Sequence, residues 1–233
     1  MEWLAVTALM YRRVFSRAAV LAARNWALLG TVFVYSFIMG LAARLAALLG
    51  PFGGFLIGLV WAACVGSFLY LVEMMVRTSR VTVQDFQRSF GAYLWDVVGI
   101  MFLLWIFTRL AAPALLQVPS GPVLLICVEL AALVFFNAVP ELIYLGHYSS
   151  VQLLSESYAF VGSNWIEWFP ANLLAALLLV AVSSLPASGI AAWAQMAVLA
   201  LLVYFMMVMR GLLFLELHGS SRRGRAFRYR AGG

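Results

Sequence analysis

The chain has 233 residues, of which 65% are hydrophobic and only 10% are charged, and its formal net charge is +6. Soluble domains are about half apolar and about a quarter charged, so this composition excludes an ordinary soluble fold. The fifteen basic residues are all arginines. They flank apolar segments instead of forming a basic surface of their own, so the positive charge indicates membrane topology and not nucleic-acid binding.

Long uncharged stretches predict transmembrane helices. No formal charge occurs between Asn25 and Ala43 or between Leu45 and Val72, and about 20 apolar residues are enough for a helix to cross the hydrocarbon core. We therefore predict an all-helical integral membrane protein. Its six spans cover residues 26–49, 52–76, 94–116, 122–145, 167–186 and 189–217.

A secretory signal peptide is not expected at the start of the chain. Such signals place basic residues before the apolar stretch, whereas here Arg12 and Arg13 follow a short apolar stretch. We expect the first spans themselves to direct the chain to the membrane.

A short amphipathic helix is predicted ahead of each pair of spans, because apolar residues recur there every three or four positions. The three sets are Val14, Ala18 and Leu21; Val83, Phe86, Phe90 and Tyr93; and Leu154, Tyr158, Val161 and Trp165. Helices of this kind lie in the membrane interface with their apolar face towards the lipid.

Tight turns rich in proline and glycine join each odd span to the next one. These turns fall at residues 50–54, 119–122 and 186–189, so we predict three helical hairpins. A further proline, Pro140, follows Asn137 by one turn inside the fourth span. It predicts a kink there.

Three tryptophans predict an internal threefold repeat. Trp26, Trp95 and Trp165 open the odd spans and are 69 and 70 residues apart. The repeat units would be residues 8–77, 78–147 and 148–218 within one transmembrane domain, residues 1–219. The alternative is that any three hairpins look alike, because tryptophan gathers at membrane interfaces.

The distribution of arginine predicts the orientation. Thirteen of the fifteen arginines share one side with both termini, and only Arg44 and Arg109 lie towards the other. By the positive-inside rule, both termini and the amphipathic helices are cytoplasmic, and we expect the chain in a bacterial inner membrane. Residues 220–233 are predicted to form a disordered basic tail. Its candidate lipid-headgroup residues are Arg222, Arg223 and Arg225.

Charged residues at membrane depth are the candidate functional residues, because burying a charge in a bilayer is costly. Glu73, Glu141 and Arg210 lie 47, 46 and 45 residues after the tryptophans of their repeat units. This equivalence predicts an intramembrane charge cluster. The simpler alternative is that each side chain reaches the nearby interface, or that Glu73 pairs with Arg77 one turn later.

A second candidate pair spans the turn at residues 119–122. Arg109 and Glu129 lie at similar depths in the third and fourth spans, and a tight hairpin could bring them to one level. We therefore predict a buried ion pair between them, with the same alternative that both side chains reach the interface.

Enzyme motifs are absent from the sequence. It contains no GxSG serine motif, no HExxH zinc motif and no Walker loop. Cys64 and Cys127 have no metal-binding spacing. We expect no enzymatic activity, no cofactor and no metal site.

The asparagine and tryptophan pairs at residues 25–26 and 164–165 each follow a predicted amphipathic helix and open a span. This arrangement resembles six-span bacterial families, namely the YciC-like proteins and the membrane domain of some glycerophosphodiester phosphodiesterases. The resemblance covers the layout of the whole chain and transfers no functional residue.

Two functions fit these features. The first is a non-catalytic membrane module, a scaffold or accessory subunit of a larger inner-membrane assembly, with membrane lipids and other protein subunits as partners and no nucleic acid. The second is a transporter or ABC-type permease subunit energised by a separate ATPase. For that function, Asp85 and Glu156 on the predicted cytoplasmic segments are the candidate residues for coupling to the partner.

Overall fold

The computed structural model describes residues 2–220, 224, 225, 227 and 228. Within that part of the chain the fold is all-helical and contains no strand. Five helical segments are long and apolar enough to cross a membrane, and a sixth is added if one bent pair of helices counts as a single span. The predicted class, an all-helical protein with several spans, is confirmed.

Ten α-helices follow one another among the described residues. They are α1 (Glu2–Arg24), α2 (Thr31–Leu48), α3 (Gly53–Thr78), α4 (Val83–Ser89), α5 (Leu94–Ile106), α6 (Ala112–Leu116), α7 (Gly121–Phe135), α8 (Val139–Glu141), α9 (Ser150–Ser183) and α10 (Ile190–Leu217). Short 3-10 segments at Trp26–Gly30 and Gly50–Phe52 lead into α2 and α3. Single π-helical turns at Phe107–Ala111 and Leu142–Gly146 follow α5 and α8.

The predicted turns between paired spans are present, and glycine is required in two of them by close backbone approach. A Cβ atom at Gly53 would lie 2.3 Å from the carbonyl oxygen of Ala46, and one at Gly121 would lie 2.2 Å from that of Leu115. These distances are far below van der Waals contact, so a larger residue would force the two spans of the hairpin apart.

The fourth span is bent. Gly121–Phe135 and Val139–Gly146 meet at an angle of 41° across a short break. Pro140 has no backbone N–H and so cannot bond to the carbonyl four residues earlier. The kink that the sequence predicted at this proline is therefore confirmed.

The segment before the fifth span differs from the prediction. α9 continues without interruption from Ser150 to Ser183 and includes Pro170, so residues 151–165 are the start of one long helix and not a separate short one. Of the predicted apolar face, Tyr158 and Trp165 are exposed. The buried positions are Leu153, Ser157, Phe160, Val161 and Asn164. No turn signal separates this amphipathic stretch from the apolar one, so the helix continues through both.

The described residues belong to two compact units. The first takes those within Met1–Ser36, Val72–Thr82 and Asn164–Gly233, and the second takes Phe37–Leu71 and Val83–Ser163. The first unit draws residues from all three predicted repeat units, so neither compact unit coincides with a single repeat.

In the first unit, α1 packs along α10. The predicted apolar positions Val14, Ala18 and Leu21 are all buried, which places this face against the protein itself. The hydroxyl of Tyr204 on α10 lies 3.2 Å from the carbonyl oxygen of Ala22 and 3.0 Å from that of Asn25. It thereby ties α10 to the carbonyl groups at and just after the end of α1.

Asn25 joins the end of α1 to the segment after α3. Its side-chain amide donates to the carbonyl oxygens of Leu21 at 2.9 Å and Ser79 at 3.3 Å. Its side-chain oxygen accepts the backbone N–H of Val81 at 3.0 Å. Asn25 is buried, and a shorter side chain would remove all three contacts.

In the second unit, α4 lies against α3. The hydroxyls of Ser67 and Ser89 are 2.5 Å apart and both are buried. A Cβ atom at Gly66 would lie 3.1 Å from the backbone of Tyr93, so glycine allows this close approach. Further along the chain, Ser157 on α9 donates to the carbonyl oxygen of Phe135 at 2.8 Å, at the end of α7 where the fourth span breaks.

Asn25→Ala should destabilise the first unit, because it removes three hydrogen bonds, two of which join the end of α1 to the partly buried backbone of Ser79 and Val81. We expect a loss of about 1–3 kcal/mol, which corresponds to a fall of roughly 3–10 °C in the unfolding temperature of the protein in detergent. Gln84→Ala, at an exposed position on α4, is the control and should change stability by less than about 0.5 kcal/mol. Equal unfolding temperatures for the two variants would contradict the role given to Asn25.

Candidate functional site

The polar centre of the first unit lies around the proline of α9. Pro170 has no backbone N–H, so the carbonyl oxygen of Ile166, four residues earlier, lacks its usual helical donor. One residue later, the carbonyl oxygen of Glu167 accepts the hydroxyl of Tyr11 from α1. Burial raises the pKa of Tyr11 above its usual value, so the hydroxyl keeps its proton and remains a donor.

The side chain of Glu167 binds the C-terminal segment. Arg225 donates from Nη2 to Glu167 Oε1 at 3.2 Å, with Asn164 Oδ1 at 3.4 Å from the same nitrogen. Its Nη1 donates to the carbonyl oxygen of Ser220 at 2.7 Å and lies 3.0 Å from the Ser220 hydroxyl. Arg225 is only 3% exposed and Glu167 only 2%. We call these four residues the C-terminal clasp.

Arg210 on α10, which the sequence predicted at membrane depth, contacts residues of α9 close to the clasp. Its Nη1 donates to Asn172 Oδ1 at 2.9 Å, and its guanidinium lies 5.1 Å from the ring centroid of Trp168. The amide of Asn172 donates in turn to the carbonyl oxygen of Trp168 at 2.6 Å. Arg210 and Trp168 are both buried, so the arginine is held by hydrogen bonding and by a cation–π contact.

The residues of the predicted charge cluster belong to different compact units: Glu73 and Arg210 to the first, and Glu141 to the second. Glu73 is buried in the last turns of α3 and lies 2.9 Å from Arg77, which is the one-turn pairing considered as the simpler alternative. Glu141 is fully buried in the second unit, directly after the break in the fourth span. Arg210 belongs to the first unit. The cluster as a whole stays a prediction.

The structure places Arg109 and Glu129 differently from the expected buried pair. Both side chains are exposed, and within the described part of the chain neither has an ion-pair partner. Arg109 lies in the π-helical turn after α5, where the wider turn changes the direction of side chains relative to a continuous α-helix. Both side chains therefore lie on the surface of the protein.

The remaining predicted residues are on surfaces or outside the described part. Asp85 on α4 and Glu156 on α9 are both partly exposed. Arg222 and Arg223 lie outside the described residues. Arg225, predicted to contact lipid headgroups, instead has its guanidinium in the clasp, because Glu167 offers a carboxylate in a site that excludes water.

Two cavities flank α1 in the first unit. One has a volume of about 270 Å³ and an apolar lining from α1, α9 and α10 that includes Phe15, Ala175 and Phe205. The other has a volume of about 130 Å³, and charged residues of α1 and α10, among them Arg17 and Glu216, line it. The described residues contain no group of three or more histidine, cysteine, aspartate or glutamate side chains placed to hold a metal ion.

Sequence reasoning missed Glu167, Tyr11 and Asn172. Glu167 is the first residue of the predicted fifth span, three positions before a proline, and an acidic residue at that place in a span could have identified it as a candidate buried acid. Tyr11 gives no comparable signal, since it reaches Glu167 across 156 residues of sequence.

Comparison with known proteins adds no functional information. No family model, curated protein or solved structure matches the chain. The layout resemblance to six-span bacterial families therefore stays a resemblance.

Arg225→Met should destabilise the protein by about 3–5 kcal/mol, because it removes the positive charge paired with the buried carboxylate of Glu167. The double variant Glu167→Gln with Arg225→Met also removes the carboxylate charge and should recover most of the loss. Arg228→Met, at an exposed position, is the matched control. Unfolding temperature and the rate of proteolysis of the C-terminal segment are the measurements. A double variant as unstable as Arg225→Met would show that the charge pair is not the cause.

Proposed function

We propose that the protein is a non-catalytic subunit of a larger assembly in the bacterial inner membrane, and that transmembrane segments of other subunits cover α5, α6 and α7. The observation that supports this most directly is the exposure of Arg109 and Glu129, two opposite charges inside predicted spans, without an ion-pair partner in the described part of the chain.

The free energy needed to place these two charges inside the membrane supports a partner there. Arg109 precedes the end of its span at Leu116 by seven residues, and Glu129 follows the start of α7 at Gly121 by eight, which is a depth of roughly 10–12 Å along a helix. A charge at the centre of a span costs about 2.5–3.5 kcal/mol on insertion scales. A neighbouring subunit that supplies opposite charges would remove much of this cost.

The low burial of the same region also supports assembly. In the most apolar part of the span Leu94–Leu116, only 6% of the residues are buried, compared with 50% in Ile190–Leu217. A helix with so few neighbours from its own chain has a surface available for helices of other subunits, since packing between helices is what stabilises association in lipid.

The orientation is part of the proposal. Both termini lie in the cytoplasm, α1 and α4 lie at the cytoplasmic interface, and the three hairpins derive from a repeat of about 70 residues. The positive-inside distribution of arginine supports the first statement. The tryptophan spacing supports the last, and so does the shared environment of Asn25 and Asn164, which are both buried beside an exposed tryptophan.

A second candidate function, a transporter or ABC-type permease subunit energised by a separate ATPase, is favoured by one observation. The fourth span is bent by 41°, and Glu141 is fully buried directly after the break. Broken spans with buried polar groups occur at transport sites. For this function, Asp85 and Glu156 would contact the ATPase.

The partner proposal predicts that neutral substitutions weaken the assembly. Arg109→Gln and Glu129→Gln should each reduce the recovery of a stoichiometric membrane partner at least about tenfold when the tagged full-length chain is purified in mild detergent, because a charge on the partner would lose its counter-charge. Arg44→Gln, which replaces another exposed arginine near a span end, is the matched control and should leave recovery unchanged.

The same purification separates the candidate functions. A stoichiometric partner without an ATPase supports the accessory subunit. A copurifying ATPase that is released by Asp85→Asn or Glu156→Gln supports the permease subunit instead. Recovery of the chain alone, at equal yield from all variants, would contradict both.

A further inference from the structure

The apolar cavity of the first unit is a groove between three helices. α9 and α10 form its length and α1 forms one end, where Tyr11 and Phe15 line it. Phe15 and Phe205 meet edge to face inside it, with ring centroids 5.1 Å apart. The α9 lining extends from Pro170 to Leu179, which is a length of roughly 13 Å at the rise of an α-helix. The groove is therefore extended along α9 and lined almost entirely by apolar atoms.

The position of α1 places a positive charge at the outer edge of this groove. With Tyr11 as reference, Phe15 lies about 40° around the helix and Arg12 about 100°, whereas Arg13 and Arg17 lie at about 200° and 240°. Arg13 and Arg17 line the smaller, charged cavity on the opposite flank of α1. Arg12 is exposed and is the basic residue of α1 nearest the groove-lining positions.

The shape of the groove suits a hydrocarbon chain. Its lining is almost entirely apolar and extends along α9 for roughly 13 Å. A single acyl chain is long and only one methylene group wide, so it can lie along such a surface.

The chemistry at the groove edge selects the type of lipid. Among residues 6–24 of α1, whose side chains the structure describes, there are four arginines and no acidic residue. Arginine forms charge-assisted hydrogen bonds with phosphate, and basic residues at a membrane surface attract anionic headgroups. An acyl chain in the groove would bring its phosphate group to the level of α1.

We propose that this groove binds one acyl chain of an anionic phospholipid, with Arg12 at the headgroup phosphate. The lipid fills the space between α9 and α10, on the C-terminal side of Pro170 along α9, and contacts Phe15 of α1. This site does not depend on the assembly proposed above, since the groove belongs to the first unit and the exposed pair Arg109 and Glu129 to the second.

Filling the groove should remove the bound lipid. Ala175 lines the groove, and Ala175→Trp would occupy the volume of the acyl chain. Ala176→Trp makes the same change at an exposed position one residue further along α9. The full-length protein is titrated with phosphatidylglycerol in native mass spectrometry. We expect the wild-type protein and Ala176→Trp to bind one lipid tightly, and Ala175→Trp to bind it at least about tenfold more weakly.

The headgroup is tested by comparing two arginine variants. Arg12→Gln should lose the preference for phosphatidylglycerol over phosphatidylcholine with identical acyl chains, whereas Arg17→Gln, on the opposite flank of α1, should keep it. An equal loss in both variants would show a general effect of surface charge and would overturn the role of Arg12.

Photo-crosslinking tests the site in the wild-type protein, so the result does not depend on any variant folding. Phosphatidylglycerol with a diazirine near the middle of one acyl chain should label the groove residues of α9 and α10 more strongly than the exposed faces of α2 and α5. Uniform labelling of all spans would overturn the proposal. So would unchanged lipid binding by Ala175→Trp, including a result in which this variant loses a protein partner and keeps the lipid.

Discussion

Backbone groups that are opened at breaks in helices must find partners inside the protein, because the hydrocarbon core of a membrane offers none. Two contacts near such places show how this requirement arranges the chain. In the turn before Pro170, the carbonyl of Glu167 accepts the hydroxyl of Tyr11, which fixes α1 against α9. At the end of α7, where the fourth span breaks, the carbonyl of Phe135 accepts the hydroxyl of Ser157, which fixes the start of α9. Each contact also decides which segments become neighbours.

Charged side chains need partners inside the protein even more than backbone groups do, because burying an unpaired charge costs more free energy. This need divides the ionisable residues into two groups. Arg225 and Glu167 are both buried, and each supplies the counter-charge that the other needs. Their mutual attraction need not exceed the cost of removing both from water, yet loss of either one would leave a buried charge. Arg109 and Glu129 are exposed at membrane depth instead. Such residues are expected to face a partner or a polar environment. For this reason we propose that other subunits contact the second unit.

The first unit combines tight polar contacts with an open apolar groove on the same three helices. The clasp and the Tyr11 contact hold α1, α9 and the C-terminal segment together, so the groove beside them has a defined shape. A lipid chain in this groove would bury further apolar area and stabilise the fold that forms it, since any ligand that binds the folded state alone stabilises that state. Lipid binding at this site would therefore stabilise the first unit, independently of any partner of the second unit.

The sequence by itself determined the all-helical membrane class, the approximate spans, the glycine-rich turns and the kink at Pro140. These features depend on local properties: the length of apolar runs against the thickness of a bilayer, and the backbone restrictions of glycine and proline. Only the tertiary structure decided that residues 151–165 continue into the following span, that Arg109 and Glu129 face outward, and that Arg225 is buried. The partners of the polar side chains are distant in sequence, since Arg225 is 58 positions from Glu167 and Tyr11 is 156 positions from it. Local periodicity cannot specify such contacts, because they depend on which helix faces meet once the whole chain has packed.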